Sequence, residues 1–434
     1  MNLSARCVAA GLACLLGGSF LLLRSRWPSP CNSVPAFPVQ ARIGPSRVRP
    51  EIRVAGGHVL LLASDGSLWG WGANDAGALG PGLARCVPAP RRLRTGSDWM
   101  EIAAGASYTV GLQLNRTLWG WGALPGLSGS YALKEGGDLR DGARLKQVNA
   151  DTNWRSITAG STHVLALKTD GTLCAWGANG VNQLADGTST DHLTPAKLDA
   201  GSNWTAIATG NLDSAGVRTD GSLWVWGLNP RATNRTRATR IGVGTNWVAV
   251  YRGDFHFVAC QRDGSCWLWG ANAPYFMSPT RRLNGGALIQ LRPSHPWLTV
   301  TGGNAHCLAL HRDGSLWSWG DNRYGQLGDG TTLPRTAPVR LGQRNDWIAI
   351  GAAEATSVAL ARDGSVWTWG VRLDLPQRSR PLARLAGNLA RRAGVNVNWG
   401  RPAPPEIATT PWCILKFNQP PASSPASSAH GPRR

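Results

Sequence analysis

Asp313-Gly-Ser-Leu-Trp-Ser-Trp-Gly320 is one of seven similar octapeptides in a chain of 434 residues. The others run from Asp65 to Gly72, Asn115 to Gly122, Asp170 to Gly177, Asp220 to Gly227, Asp263 to Gly270 and Asp363 to Gly370. Successive copies begin 50, 55, 50, 43, 50 and 50 residues apart. A period in this range marks a repeat architecture and overrides the two or three domains that length alone suggests. The x-Asp-Gly step supplies the positive φ of a tight hairpin turn, through Gly66, Gly171, Gly221, Gly264, Gly314 and Gly364. Past the turn the residues alternate faces, so Leu68 and Gly70 point one way and Trp69 and Trp71 the other.

Upstream, a tryptophan stands sixteen residues before the motif in six copies: Trp99, Trp154, Trp204, Trp247, Trp297 and Trp347. Seven residues before it stands His58, His163, His256 or His306, replaced elsewhere by Tyr108, Asp213 and Thr356. A short apolar stretch such as Val164-Leu-Ala-Leu167 follows, so each unit reads as short antiparallel strands. Motif pairs such as Trp69/Trp71, Trp119/Trp121, Trp224/Trp226, Trp317/Trp319 and Trp367/Trp369 leave bulky rings on one sheet face and small or aliphatic residues on the other. Both faces then need cover, which blades stacked around an axis provide. Nineteen of the 22 tryptophans are absorbed by this packing, and no cofactor or carbohydrate platform is needed for them. The sequence therefore predicts an all-β, seven-bladed β-propeller of four-stranded antiparallel blades over 38–417.

The outermost strand of each blade is expected at Pro90 to Leu93, Arg144-Leu145, Pro195 to Leu198, Arg240-Ile241, Pro279 to Leu283, Pro338 to Leu341 and Pro381 to Leu385. That assignment makes a ring of basic residues: Arg92, Arg144, Lys197, Arg240, Arg282, Arg340 and Arg384. Proline and charge on an edge strand guard against edge-to-edge pairing, which accounts for the ring without a ligand. An eighth copy, Pro38 to Ile43, suggests that an N-terminal strand closes the ring in the last blade, and Glu406 to Phe417 is a second candidate.

The stretch from Asp313 to Thr331, with Gly303 to Leu310 before it, closely resembles the repeat of the regulator-of-chromosome-condensation family. Asn179 to Thr188 and Asn74 to Gly80 carry weaker versions, and the resemblance extends over residues 38 to 417. It implies a seven-bladed propeller. Founding members of the family exchange nucleotide on a small nuclear GTPase and bind chromatin, while bacterial relatives serve as binding modules. The loop residues and inserted wedge that exchange requires find no match here, the connector from Ala123 to Arg144 included. A shared fold does not transfer an activity.

The remaining features bound the function. Residues 1–23 read as a signal anchor or signal peptide, because Cys7 to Leu23 is an uncharged run between Arg6 and Arg24. This expectation places the chain at a membrane or outside the cytoplasm of a bacterial envelope, its orientation left open by the flanking arginines. A linker over 24–37 and a disordered tail over 418–434 complete the domain plan. The net charge of +20, from 45 basic and 25 acidic residues, favours an anionic partner, and Arg231, Arg235, Arg237 and Arg240 are the candidate anion-binding residues. It is equally the mark of an arginine-rich, lysine-poor composition.

No phosphate loop, zinc helix or nucleophile elbow is present, and six aspartates are consumed by hairpin turns. No catalytic, cofactor or metal residue is expected, and the chain is read as a non-enzyme. The repeated histidines are assigned to hydrogen bonds within or between blades rather than to a metal. Cys260 and Cys266 flank one hairpin turn and are candidates for a small disulfide. A monomeric propeller that binds an unidentified protein through one face is the leading functional expectation. Binding of an anionic polymer and nucleotide exchange on a GTPase are the alternatives.

Overall fold

The computed structural model describes residues 39–42, 46–93, 95–125, 144–198, 203–228, 237–270, 288–291, 297–371 and 407–418. Within them lie seven blades, six of four antiparallel strands and one of five in which the fifth strand is parallel to its neighbour. Blade 3 shows the plan: Trp154–Ala159, His163–Lys168, Leu173–Gly177 and His192–Lys197 lie side by side in chain order. The first strands of all seven blades surround a central tunnel, to which Ile52, Glu101, Ser156, Ile207, Val250, Thr299 and Ile350 each contribute. The core is accordingly a series of inter-blade clusters: one holds Val217 and Trp226 of blade 4 with Val250 and Phe257 of blade 5.

The octapeptide is legible as a set of contacts. In blade 4 the Asp220 carboxylate accepts from the Ser222 backbone N–H (2.8 Å) and from its hydroxyl (2.5 Å), fixing the turn. The same hydroxyl accepts from the Trp224 indole at 2.8 Å. Blade 1 repeats this linkage with Asp65, Ser67 and Trp69, and blade 2 with Asn115, Thr117 and Trp119. Gly221 has φ +75°, and a Cβ there would stand 2.0 Å from the Thr245 carbonyl oxygen, so no other residue fits the turn unstrained. Replacing Ser222 with alanine is expected to cost about 1–2 kcal/mol in equilibrium unfolding, because the indole N–H and the turn lose a shared partner. An unchanged urea midpoint would rule that role out.

A second recurrent network joins neighbouring blades. The Trp226 indole donates to the Gln183 carbonyl, in the loop of the preceding blade, at 2.9 Å. The Ser214 hydroxyl donates to that same carbonyl (3.1 Å), so the 2.8 Å contact from His163 Nε2 must carry the proton toward Ser214. Between blades 6 and 7, His306, Ser357, Gln326 and Trp369 form the same chain. Between blades 1 and 2, Trp121 and Thr109 both donate to the Ala78 carbonyl. The histidine position, the tryptophan position and the loop form one inter-blade clasp. Burial lowers the proton affinity of His58 and His306 to about 4, and of His163 and His256 to about 3.

The motif tryptophans differ in depth and in hydrogen bonding. Both rings of a pair pack into clusters shared between neighbouring blades, as expected, but only the second is buried in every such pair: Trp71, Trp121, Trp226, Trp319 and Trp369. Trp119, Trp224, Trp317 and Trp367 are half-buried. Trp319 of blade 6 also departs from the clasp. It is fully buried, yet among the described residues its indole N–H meets no acceptor, and it stacks on Trp297 with ring centres 6.1 Å apart. Trp269 of blade 5 behaves likewise, stacking on Phe257 at 5.5 Å. The loops of blades 4 and 5 that correspond to the one carrying Gln183 lie outside the described residues.

Both terminal candidates take part in closure. Ile407–Asn418 is the fourth strand of blade 7, and Val39–Arg42 adds a fifth strand parallel to it, pairing Val39 with Leu415 and Arg42 with Asn418. The fourth-strand assignment needs correction in three blades. In blade 2 the strand is Lys146–Gln147, with Gln147 opposite Trp119, and Arg144 lies before it. In blade 5 it is Ile289–Gln290, with Gln290 opposite Trp267. In blade 7 it is Ile407–Asn418, while Arg282 and Arg384 lie outside the described residues. The basic ring therefore shrinks to Arg92, Lys197, Arg240 and Arg340, each opposite the corresponding motif residue. The apolar residue that follows the strand and returns an N–H to the motif marks the register better than the charge does. Leu93, Val148, Leu198, Ile241, Leu291 and Leu341 all make that bond.

Candidate functional site

Antiparallel strands in chain order put two kinds of connection on each face of the ring. On one face lie the second-to-third turns and the links to the next blade. The turns hold three to five residues, and all six links hold six, as in 148–153. On the other lie the first-to-second turns, two or three residues long, and the third-to-fourth connections. Only these last vary widely in length, from 228–238 to 123–145 and 372–406. We call this second face the loop face.

At its centre is a mouth of about 280 Å³ rimmed by the first-to-second turns. Neighbouring turns are stitched together through backbone bonds: Ser161 N–H to Asn211 O (3.3 Å), Asn211 N–H to Asp254 O (3.0 Å), Asp254 N–H to Gly303 O (3.1 Å) and Asn304 N–H to Glu354 O (2.8 Å). Asp254 also accepts from the Glu354 N–H at 2.7 Å and stands 3.8 Å from Arg252. Burial pushes its carboxyl up to about 6 despite that arginine. Beside the mouth, a cleft of about 240 Å³ lies among Phe255, Asn304, Asp321, Arg323, Tyr324 and Glu354. Arg323 is largely exposed and pairs with Asp321 at 3.0 Å. Leu212 and Phe255 occupy the same repeat position in blades 4 and 5 and are both exposed, Phe255 by 39%. Leu228, whose N–H bonds to Leu212 O at 3.0 Å, extends this apolar edge.

The residues singled out in the sequence have separate fates. The motif tryptophans, Trp319 among them, and the turn glycines serve packing and turns and take no part in the loop-face cleft. Arg231 and Arg235 lie outside the described residues, as do residues 1–38. Arg237 bridges in backbone to Asp186 of blade 3, and Arg240 donates to Val243 O at 3.1 Å. Cys260 and Cys266 are directly paired across their hairpin and joined by a disulfide. Among the described residues no group of three or more His, Cys, Asp or Glu is placed to hold a metal, and no helix is long and apolar enough to cross a membrane.

Arg252 went unnoticed in the sequence, yet a signal was there. Val54, Ala104, Ala159, Thr209, Gly302 and Ala352 fill its position in the other repeats, so an arginine is the outlier.

A ring of seven blades, clasped by a tryptophan and a loop from neighbouring repeats, defines a repeat propeller. This chain carries repeats of the regulator of chromosome condensation (RCC1) kind: the repeat models of that family match residues 65–112 and 313–360 and, in a second form, 154–183 and 298–326. It is similar to the ultraviolet-B receptor UVR8 of Arabidopsis thaliana, 28% identical over 152 residues, which is 34% of this chain and 33% of the receptor. It is similar also to the probable E3 ubiquitin-protein ligase HERC3 of Homo sapiens, 28% identical over 144 residues, or 32% of this chain and 13% of the ligase. The chain thus spans a third or less of the length of these relatives. Among solved structures, yeast Prp20p, studied for its binding to Gsp1p and histones, superposes with a TM-score of 0.65 at 17% identity, covering 82% of this chain and 87% of that one. Human WBSCR16 gives 0.64 at 19% identity, covering 74% and 88%. At these identities the likeness is one of fold.

Proposed function

We propose that this protein is a non-catalytic binding module that engages a protein partner through the loop face. The observation that carries this reading is the confinement of wide length variation to connections opening on that face, while the frame is held constant. Loops on a rigid scaffold are the usual place for recognition. Phe255, Tyr324 and Arg323 around one cleft are residue types that anchor interfaces. A photo-crosslinking residue at Tyr324 is expected to capture the partner, while one at the exposed Val243, in a link on the opposite face, captures none. Phe255→Ala should weaken the captured complex roughly tenfold or more. Equal capture at both positions would place the interface elsewhere.

The exposed basic residues Arg92, Lys197, Arg240 and Arg340, at one repeat position on the outer edge, support a second reading, the binding of an anionic polymer. Retention on heparin or DNA should then fall steeply with salt. Nucleotide exchange is a third reading, read out as release of labelled nucleotide from candidate GTPases. The uncharged run from Cys7 to Leu23 supports a position at a membrane or outside the cytoplasm, which reporter fusions at either end would test.

A further inference from the structure

The tunnel walls follow two repeat positions in each first strand, Ser156 and Thr158 in blade 3. Blades 4 and 7 fill them with Ala206, Ala208, Ala349 and Gly351. Blades 1, 2 and 5 depart from this with Glu51, Arg53, Glu101 and Tyr251, and Arg252 stands next to Tyr251 in the same strand. Arg252 reaches out of blade 5 to donate to the carbonyls of Ala159 in blade 3 and Ala104 in blade 2, the latter at 3.4 Å. Its head contributes to the mouth and also to a chamber of about 230 Å³ further along the tunnel. Besides the two guanidinium groups of Arg252 and Arg53, the chamber presents the hydroxyl-bearing Ser156, Thr158, Thr299 and Thr301.

Each guanidinium has one carboxylate partner, and neither of those carboxylates lines the chamber. Arg53 is paired with Glu51 at 3.2 Å and donates to Ile102 O at 3.0 Å. Arg252 has Asp254 at 3.8 Å, on the side of the mouth, and feels the repulsion of Arg53. Glu101 accepts from Ser156 (3.3 Å) and from the Ile157 N–H (3.2 Å). Its depth in the tunnel, followed by the nearby Glu51, pushes its carboxyl up to about 8. At neutral pH Glu101 is therefore protonated, and the charged groups lining the chamber are the two arginines.

We propose that this chamber binds a small oxyanion, held between Arg252 and Arg53 and oriented by the surrounding hydroxyls. Charge-assisted bonds from guanidinium groups are the strong donors for such a ligand. Sulfate is the suitable probe, since its charge is constant across the relevant pH range.

Calorimetric titration with sodium sulfate, against chloride at equal ionic strength, should show saturable binding at one site in the full chain. Thr299→Val should weaken it severalfold while leaving the thermal midpoint in chloride unchanged, and Arg252→Met should abolish it. Around Glu101 stand Glu51, Arg53, Tyr251 and Arg252, and Glu101, raised to about 8, changes charge between pH 7 and 9. Affinity should fall about tenfold over that interval in the wild type and stay flat in Glu101→Gln. Sulfate binding that is equal in wild type, Arg252→Met and Thr299→Val would be a general salt effect and would overturn the proposal. So would the absence of saturable binding in the wild type.

Discussion

Replacing Trp226 with alanine is expected to lower the unfolding free energy by about 3–5 kcal/mol. Trp224, two residues earlier in the same motif, is expected to lose only about half as much on the same change. Trp226 is fully buried, packs edge-on against Trp204 at 5.7 Å and spends its indole N–H on the Gln183 carbonyl of blade 3. Its removal opens a cavity between two blades and cuts one arm of the clasp. Trp224 is partly exposed and lies under the Arg218 guanidinium, 4.1 Å from the ring centre. Urea unfolding of the two variants and of Trp226→Phe separates the terms, because phenylalanine keeps most of the volume and loses the hydrogen bond. Equal losses at 224 and 226 would show that the clasp carries no stability of its own.

Acid should loosen the ring well before it protonates ordinary surface carboxylates. The unfolded histidines titrate near 6.5, whereas the folded values of His58, His163, His256 and His306 lie between about 3 and 4. Their contribution is complete above pH 6.5 and is lost as pH falls toward those folded values. Glu101 and Asp254 act the other way. Raised to about 8 and about 6, they are unfavourable when ionised and favour the fold as pH drops through those values. Between about pH 6 and 4.5 four groups bind protons on unfolding and two release them. The net of two protons corresponds to roughly 2–3 kcal/mol per pH unit. Urea midpoints at pH 7, 6 and 5 should fall in that order, with a shallower fall in His163→Gln. A flat profile would mean that the histidines are not held neutral by the fold.

Blade number was legible because the repeat forces one solution at each motif. The Asp-Gly turn needs its glycine, and alternation then places Trp226 and its equivalents between sheets. Alternation could not separate Trp317 from Trp319, since both point to one face and only depth within the blade distinguishes them. The fourth strands of blades 2, 5 and 7 were misplaced because a basic residue just before an apolar one, preceded by a proline in blades 5 and 7, is an edge-strand preference that residues ahead of the strand meet equally well. Register is set instead by a bond to the motif carbonyl, made by any apolar residue in the right place, as Val148 and Leu291 do. The loop-face cleft was hidden for another reason. Phe255 and Tyr324 come from different blades, and only the curvature of the ring brings them together. Arg252 needed only a comparison of each repeat with the others.

The seam between Val39–Arg42 and Ile407–Asn418 gives the ring a mechanical character. The two strands run in the same direction, so a pull on the chain before Val39 and one on the chain after Asn418 act along them in opposite senses. All the backbone bonds of the seam then bear the load together, like a lap joint, instead of parting one by one like a zip. A tether attached through the chain ends would therefore pull on this closure in the direction in which it resists most.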